Sequence, residues 1–176
     1  LMQALGIKFE VIPAHIDEQL IDHQDFVKRA ELIAQQKAKE IAADQSGSII
    51  IAADTYGSFK GQKLEKPQSK EQAIKMLNLQ SNQWIQAITG FCYIDAQNDI
   101  FKTESSITHV KFRTLSLSEI KNYVENNPVT TWSAGFAPTY PAGAALIEQI
   151  KGSFTGFTYG LPIENLMPLL RQSLKK

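Results

Sequence analysis

"SIIIAADTYGSFKG", Ser48 to Gly61, runs from branched apolar residues straight into an acid and a hydroxyl. Ile49 to Ala53 lacks the alternation of a half-buried strand and reads as one covered on both faces. Asp54 and Thr55 then stand at its carboxyl end, where ligands collect in open α/β sheets. The same acid also fits an Asx-turn toward Gly57, its side chain satisfying local backbone. Both readings stay open on this stretch alone.

The flanking sequence mixes helix and strand. Phe26 to Ala43 has helical spacing, with Ala30, Ala34, Ile41 and Ala42 on or near one face. Ser69 with Gln72, and Ser116 with Glu119, match capping boxes. They open one helix through Ala73, Ile74 and Leu77, and a second that runs to Asn126 and stops at Asn127-Pro128. Trp84 to Ile94 and Ile100 to Phe112 are aromatic and β-branched, and "DAQND" separates them as an antiparallel pair. Ala144 to Ile150 fits a strand or a short helix. Pro162 opens a last helix with Ile163, Leu166, Met167 and Leu170 on one face. No linker, repeat or low-complexity tract interrupts the chain. The expected fold is a single α/β domain over residues 1–176, a mixed twisted sheet with flanking helices.

The opening "LMQALGIKFEVIP" has Leu1, Met2 and Leu5 at helical spacing, with Gly6 where a helix C-cap glycine belongs. Ile7 to Ile12 reads as a strand closed by Pro13. A chain that opens one turn before a helix ends is expected to have lost what preceded it. The length, 176 residues, suits one domain with an ordinary core. Lys and Arg number 18, as do Asp and Glu, so no global field draws the protein to nucleic acid or an anionic membrane. No stretch approaches the roughly 18 apolar residues of a membrane span. Cys92 is the only cysteine, which excludes an internal disulfide and makes the cytoplasm the expected location.

Several chemistries drop out. "GSFKGQK" is not a phosphate loop, and it follows an acid instead of leading into a helix. His15, His23 and His109 have no paired ligand spacing, and one cysteine makes no zinc site. No G-x-S-x-G elbow is present. Charged residues in unusual company remain. Lys37 interrupts the ridge Ile33–Lys37–Ile41; it either snorkels at the core edge or aims its ammonium into a cleft. Asp17 and Glu18 follow a strand-like segment and are either solvated or one half of a Mg²⁺ site beside a phosphate. Lys66 stands before Pro67, which holds it extended.

Together these stretches resemble the Maf family of nucleoside triphosphate pyrophosphatases. The likeness runs in order along nearly the whole chain: "LGIKFEVIPAHIDE", "LIAQQKAKEIA", "IIAADT", "LEKP", "TGFCYID", "THVKFRTLSLSEIKNYV" and "IKGSFTGFTYGLPIENL". The resemblance implies an inosine-triphosphatase-like fold with two lobes around a cleft. It implies hydrolysis of a nucleoside triphosphate to the monophosphate and pyrophosphate, with Mg²⁺ or Mn²⁺. By matching position, Asp54 takes the general-base role and Thr55 the neighbouring base-selective one. Glu18, Lys37 and Lys66 fall on charged cleft positions, and Glu18 and Asp54 are the expected metal ligands. A nucleotide is the expected partner, with a homodimer as a further expectation.

The chain departs from the family pattern in three places. The family's Ser-x-x-Arg-Arg arm lies upstream of Leu1, so a polypeptide beginning at Leu1 is expected to be weakly active and to expose a sheet edge. Thr139-Tyr140-Pro141 aligns where the dTTP/UTP-type members carry Ile-Gln-Gly. Tyr140 can stack or make one hydrogen bond at the base, but it cannot offer an amide's paired donor and acceptor. Glu65 replaces a glycine. These departures motivate the alternative of a catalytically silent nucleotide-binding regulator of cell division or septum formation.

Overall fold

A computed structural model describes residues 1–174. The single-domain expectation over 1–176 therefore includes two residues, Lys175 and Lys176, outside the described ones. The elements are α1 (Phe26–Asp44), β1 (Ile49–Phe59), β2 (Gln62–Leu64), α2 (Lys70–Gln80), β3 (Trp84–Asp95), β4 (Ile100–Phe112), α3 (Leu117–Asn126), α4 (Pro141–Ala144), β5 (Ile147–Lys151), α5 (Phe154–Tyr159) and α6 (Ile163–Ser173).

The strands form one sheet in the order β2-β1-β3-β4-β5. Every neighbouring pair is antiparallel, where the sequence reading expected a mixed sheet. The reason lies in the connections. Lys60-Gly61 closes a tight β1–β2 hairpin, and Ala96 to Asp99 closes the β3–β4 one. Helix α2 does cross between strands of like direction, β2 and β3, but β1 lies between them.

Pleat alternation assigns the two faces. Ile50, Ala52 and Asp54 of β1 face α1, which packs there through the fully buried Ala30, Ala34 and Ala38. Its small side chains let the helix come close, and at Gly90 of β3 the two backbones meet. A Cβ there would lie 2.3 Å from the Ala30 carbonyl carbon. The opposite face carries two packed bodies. Ile49, Ile51 and Ala53 join Phe91, Tyr93 and Leu166 beneath α6. Leu77, Phe112, Ile120, Val124 and Phe157 form the other body beneath α2, α3 and α5. Strand β1 is thus covered on both sides, as its composition requires.

Ser116 and Glu119 form the complete capping box. At α2 only half of it forms: Ser69 accepts from the Gln72 N–H, while the Gln72 side chain accepts from the Gln68 N–H. The Ala144–Ile150 ambiguity resolves into both alternatives, with α4 ending at Ala144 and β5 beginning at Ile147. Gly6 caps a short 3-10 turn at φ 69°. The expected strand Ile7–Ile12 does not form. That segment joins no ladder; Met2 and Ile7 pack beside α6, and beyond Pro13 the His15 N–H donates to the Glu40 carboxylate at 2.8 Å. No helix among the described residues is long and apolar enough to cross a membrane.

Candidate functional site

Asp54 does not end its strand. Strand β1 continues through Thr55 and Tyr56 to Phe59, and Asp54 is paired with Gly90 in mid-ladder. This overturns both the strand-tip placement and the Asx-turn toward Gly57; the chain reverses later, at Lys60-Gly61. The strand tolerates a carboxylate there because α1 brings a cation to it. Lys37 Nζ lies 3.1 Å from Asp54 Oδ1 and 2.6 Å from Glu18 Oε1. The lysine that breaks the apolar ridge of α1 therefore bridges two carboxylates distant in sequence. Burial opposes its charge, but the hydrogen bond to Glu18 and the charge and hydrogen bond of Asp54 outweigh that and raise its pKa above 10.5.

Glu18 is held by local structure. It opens a 3-10 turn capped by Asp17, whose carboxylate accepts from the Gln19 N–H at 3.0 Å. Arg29 of α1 clamps that turn, donating to the Glu18 carbonyl at 3.0 Å and the Ile21 carbonyl at 2.8 Å. Tyr56, on the same face as Asp54, donates its hydroxyl to the Phe26 carbonyl. Its pKa is pushed up to about 12, by burial first; Arg29 opposes this and the charges of Asp54 and Asp25 add to it.

A cavity of about 560 Å³ opens beside these groups, lined by Glu18, Asp54, Thr55, Tyr56, Lys63, Glu65, Lys66, Gln68 and Ser133. That volume suits a small molecule. It forms where β2 leaves β1: pairing covers only Gly57 to Phe59, so the outer edge of the preceding strand has no strand partner among the described residues. The open edge lets residues from both faces of β1 line one cleft. A second cavity, about 340 Å³, lies between Leu5, Ile7 and α6, shares no residue with the first and is lined mainly by apolar side chains.

Thr55 points to the face opposite Asp54, and there its hydrogen bonding has a direction. Thr89 Oγ1 donates to the Gly156 carbonyl at 3.0 Å. A hydroxyl has one proton, so Thr89 must accept from Thr55, whose Oγ1 is 2.9 Å away. Thr55 is thereby fixed as an inward donor, and only its lone pairs remain for a ligand.

The predicted residues Glu18, Lys37, Asp54, Thr55 and Lys66 gather at this cleft. Tyr140 does not line it. Its ring stacks on Trp132 with centroids 5.2 Å apart, which holds it beside the loop that supplies Ser133. Lys63 pairs with Glu65 at 3.0 Å, whereas Lys66 makes no ion pair among the described residues. With Lys37 counted, three carboxylates meet three ammonium groups, so the cleft is electrically balanced.

No group of three or more metal-binding side chains occurs among the described residues. The hard oxygens of Glu18 and Asp54 nevertheless converge on one ammonium. Two carboxylates with the rest of the shell left to water and phosphate is the usual way Mg²⁺ is bound, so the pair fits such an ion.

Fold and cleft together define an α/β protein with a charged cleft, of a size that suits a small molecule, at the edge of its sheet. The Maf-like protein family profile matches residues 1–173, and the chain belongs to that family. It is 34% identical over 170 residues to the dTTP/UTP pyrophosphatase of Syntrophomonas wolfei, covering 97% of this chain and 89% of that protein. It is 33% identical over 172 residues to the dTTP/UTP pyrophosphatase of Aquifex aeolicus, covering 98% and 88%. With the dTTP/UTP pyrophosphatase of Ruminiclostridium cellulolyticum it shares 31% over 180 residues, covering 100% and 91%.

Proposed function

We propose that the protein hydrolyses a nucleoside triphosphate to the monophosphate and pyrophosphate, preferring uracil or thymine as the base, in the cytoplasm. The observation that carries this is the Glu18–Lys37–Asp54 bridge on the wall of a cleft that Thr55 and Lys66 also line. The names of the relatives support the same reaction.

In this reading the triphosphate lies along the cleft with Lys66 against its phosphates. Asp54 orients a water molecule toward the α-phosphorus and accepts its proton as the oxygen attacks. The bond from the α-phosphorus to the bridging oxygen breaks, and pyrophosphate leaves with that oxygen. Lys37 fixes the Asp54 carboxylate from the α1 side, and Arg29 keeps Glu18 in reach of Lys37. Glu18 and Asp54 would hold a Mg²⁺ or Mn²⁺ ion, which supplies Lewis-acid stabilisation of the charge that builds on the phosphate oxygens. Thr55 supports the base preference: its outward lone pairs suit the N3–H of uracil or thymine and leave the bare N3 of cytosine without a donor.

The test is product analysis with UTP, dTTP and CTP and added Mg²⁺. Pyrophosphate is the expected first product, detected as orthophosphate only after inorganic pyrophosphatase is added. Asp54→Asn is expected to lower turnover by about 10²- to 10⁴-fold. Orthophosphate as the first product would overturn the reading.

A further inference from the structure

Gln80, at the end of α2, is fully buried and touches nothing that the reaction uses. Its side-chain amide nonetheless has a fixed job. Nε2 donates to the Met76 carbonyl at 3.2 Å and to the Ala134 carbonyl at 2.9 Å. Oε1 is buried without a partner. Turning the amide over would set an oxygen against two carbonyls, so the orientation is determined. A leucine would fill the space and remove the orphan Oε1 but would leave the Ala134 carbonyl without its donor, so the glutamine calls for a reason beyond packing.

Ala134 supplies that reason. It is a non-glycine residue in the left-handed region, at φ 61°, followed by Gly135 at φ 74°. A side chain resists this conformation, so the surroundings must impose it. Gln80 holds the Ala134 carbonyl, while the Ala134 N–H donates to the Glu65 carbonyl at 3.1 Å. The Ser133–Gly135 turn is therefore a rigid strut from α2 to the segment that carries Glu65 and Lys66. Ser133, Glu65 and Lys66 all line the cleft.

We propose that Gln80 is a positioning residue that, through the strained Ala134, fixes the cleft wall bearing Lys66. The proposal rests on the reading that Lys66 meets the phosphates. Freeing the strut loosens Lys66, which weakens binding of a polyphosphate more than it slows chemistry at Asp54.

The experiment compares wild type with Gln80→Leu, Lys66→Gln and the double variant, with Gln80→Met, close in volume and unable to donate, as a substitute should leucine not fold. Each is measured for UTP kinetics, for inorganic tripolyphosphate binding by calorimetry, and for amide hydrogen exchange over residues 63–68 and 134. Gln80→Leu is expected to raise KM and the tripolyphosphate Kd about fivefold, with kcat within about twofold. In the Lys66→Gln background it is expected to add nothing, because the two act through one group. Protection of the Ala134 amide and of residues 63–68 is expected to fall. Additive effects in the double variant, or undiminished protection, would overturn the proposal. Should the wild type neither turn over UTP nor bind tripolyphosphate, the functional reading fails, and exchange alone decides whether Gln80 holds the wall.

Discussion

Replacing Gly90 with alanine tests whether the approach of α1 to the sheet builds the site. The added Cβ would stand 2.3 Å from the Ala30 carbonyl carbon, 2.4 Å from its oxygen and 2.5 Å from the Glu31 nitrogen. These are backbone atoms in the middle of a helix, so no side-chain rotation relieves the clash. Ordinary contact begins near 3.4 Å, and α1 must retreat by about an ångström. Overpacking of this kind costs about 3 kcal/mol when only backbone can yield. For a chain of this length that corresponds to a Tm fall of roughly 6–12 °C. Lys37 lies two turns along the same helix, and a retreat of that size stretches its 3.1 Å contact with Asp54 beyond ion-pair reach. Gly90→Ala is therefore expected to lose most pyrophosphate release even below its melting temperature, by calorimetry and product assay on one preparation. Gly61→Ala is the control: its Cβ meets nothing within 4 Å, and only its φ of 75° is strained, at a cost of about 1 kcal/mol. If Gly90→Ala melts and turns over like wild type, the close approach does not hold the site together.

Three further outcomes are expected. Because the pKa of Lys37 is raised in the folded state, its contribution to stability is complete below the ordinary 10.5 and is lost as pH rises through the higher folded value. The stability gap between wild type and Lys37→Met, from urea melts, should then stay level from pH 7 to 9 and close only in alkali. Thr89→Val removes the acceptor that fixes the Thr55 proton, so Thr55 can turn and donate; the kcat/KM ratio of UTP to CTP should fall about fivefold. Removing divalent ions with a chelator should abolish pyrophosphate release while leaving the melting curve of the ligand-free protein unchanged, and Mg²⁺ should restore activity.

Much of the fold was legible because it is encoded locally. The Ser116–Glu119 box, the β3–β4 hairpin and the small-residue face of α1 each depend on residues a few positions apart. What failed depended on distant partners. Ile7–Ile12 has a strand's composition, but composition does not reveal whether a sheet edge will accept it. Asp54 looked terminal because an acid usually ends an apolar run, and the lysine that lets the strand continue sits 17 residues away on another element. The site residues that sequence reading missed show the same limit. Arg29, Gln80 and Thr89 act through bonds spanning 11, 54 and 67 residues; only Thr89 falls in one of the quoted stretches, "TGFCYID", and nothing local there marks its bond to Gly156. Tyr140 was placed at the base by alignment, but the ring of Trp132, eight positions earlier, holds it outside the cleft lining.

The charge balance of the cleft bears on how it would take its substrate. A site rich in unpaired lysines gathers a triphosphate by field alone and weakens steeply with salt. Here Lys37 is committed to Glu18 and Asp54, and Lys63 to Glu65, which leaves Lys66 as the lining cation without an acid partner among the described residues. Such a cleft has little net attraction for a polyanion until another positive charge enters it. A divalent ion held by Glu18 and Asp54, as proposed above, would supply that charge and would compete with Lys37 for both carboxylates. Metal and substrate binding should accordingly be coupled: each should tighten the other by the same factor in calorimetric titrations. Until such an ion arrives, Lys37 keeps together two carboxylates that would otherwise repel.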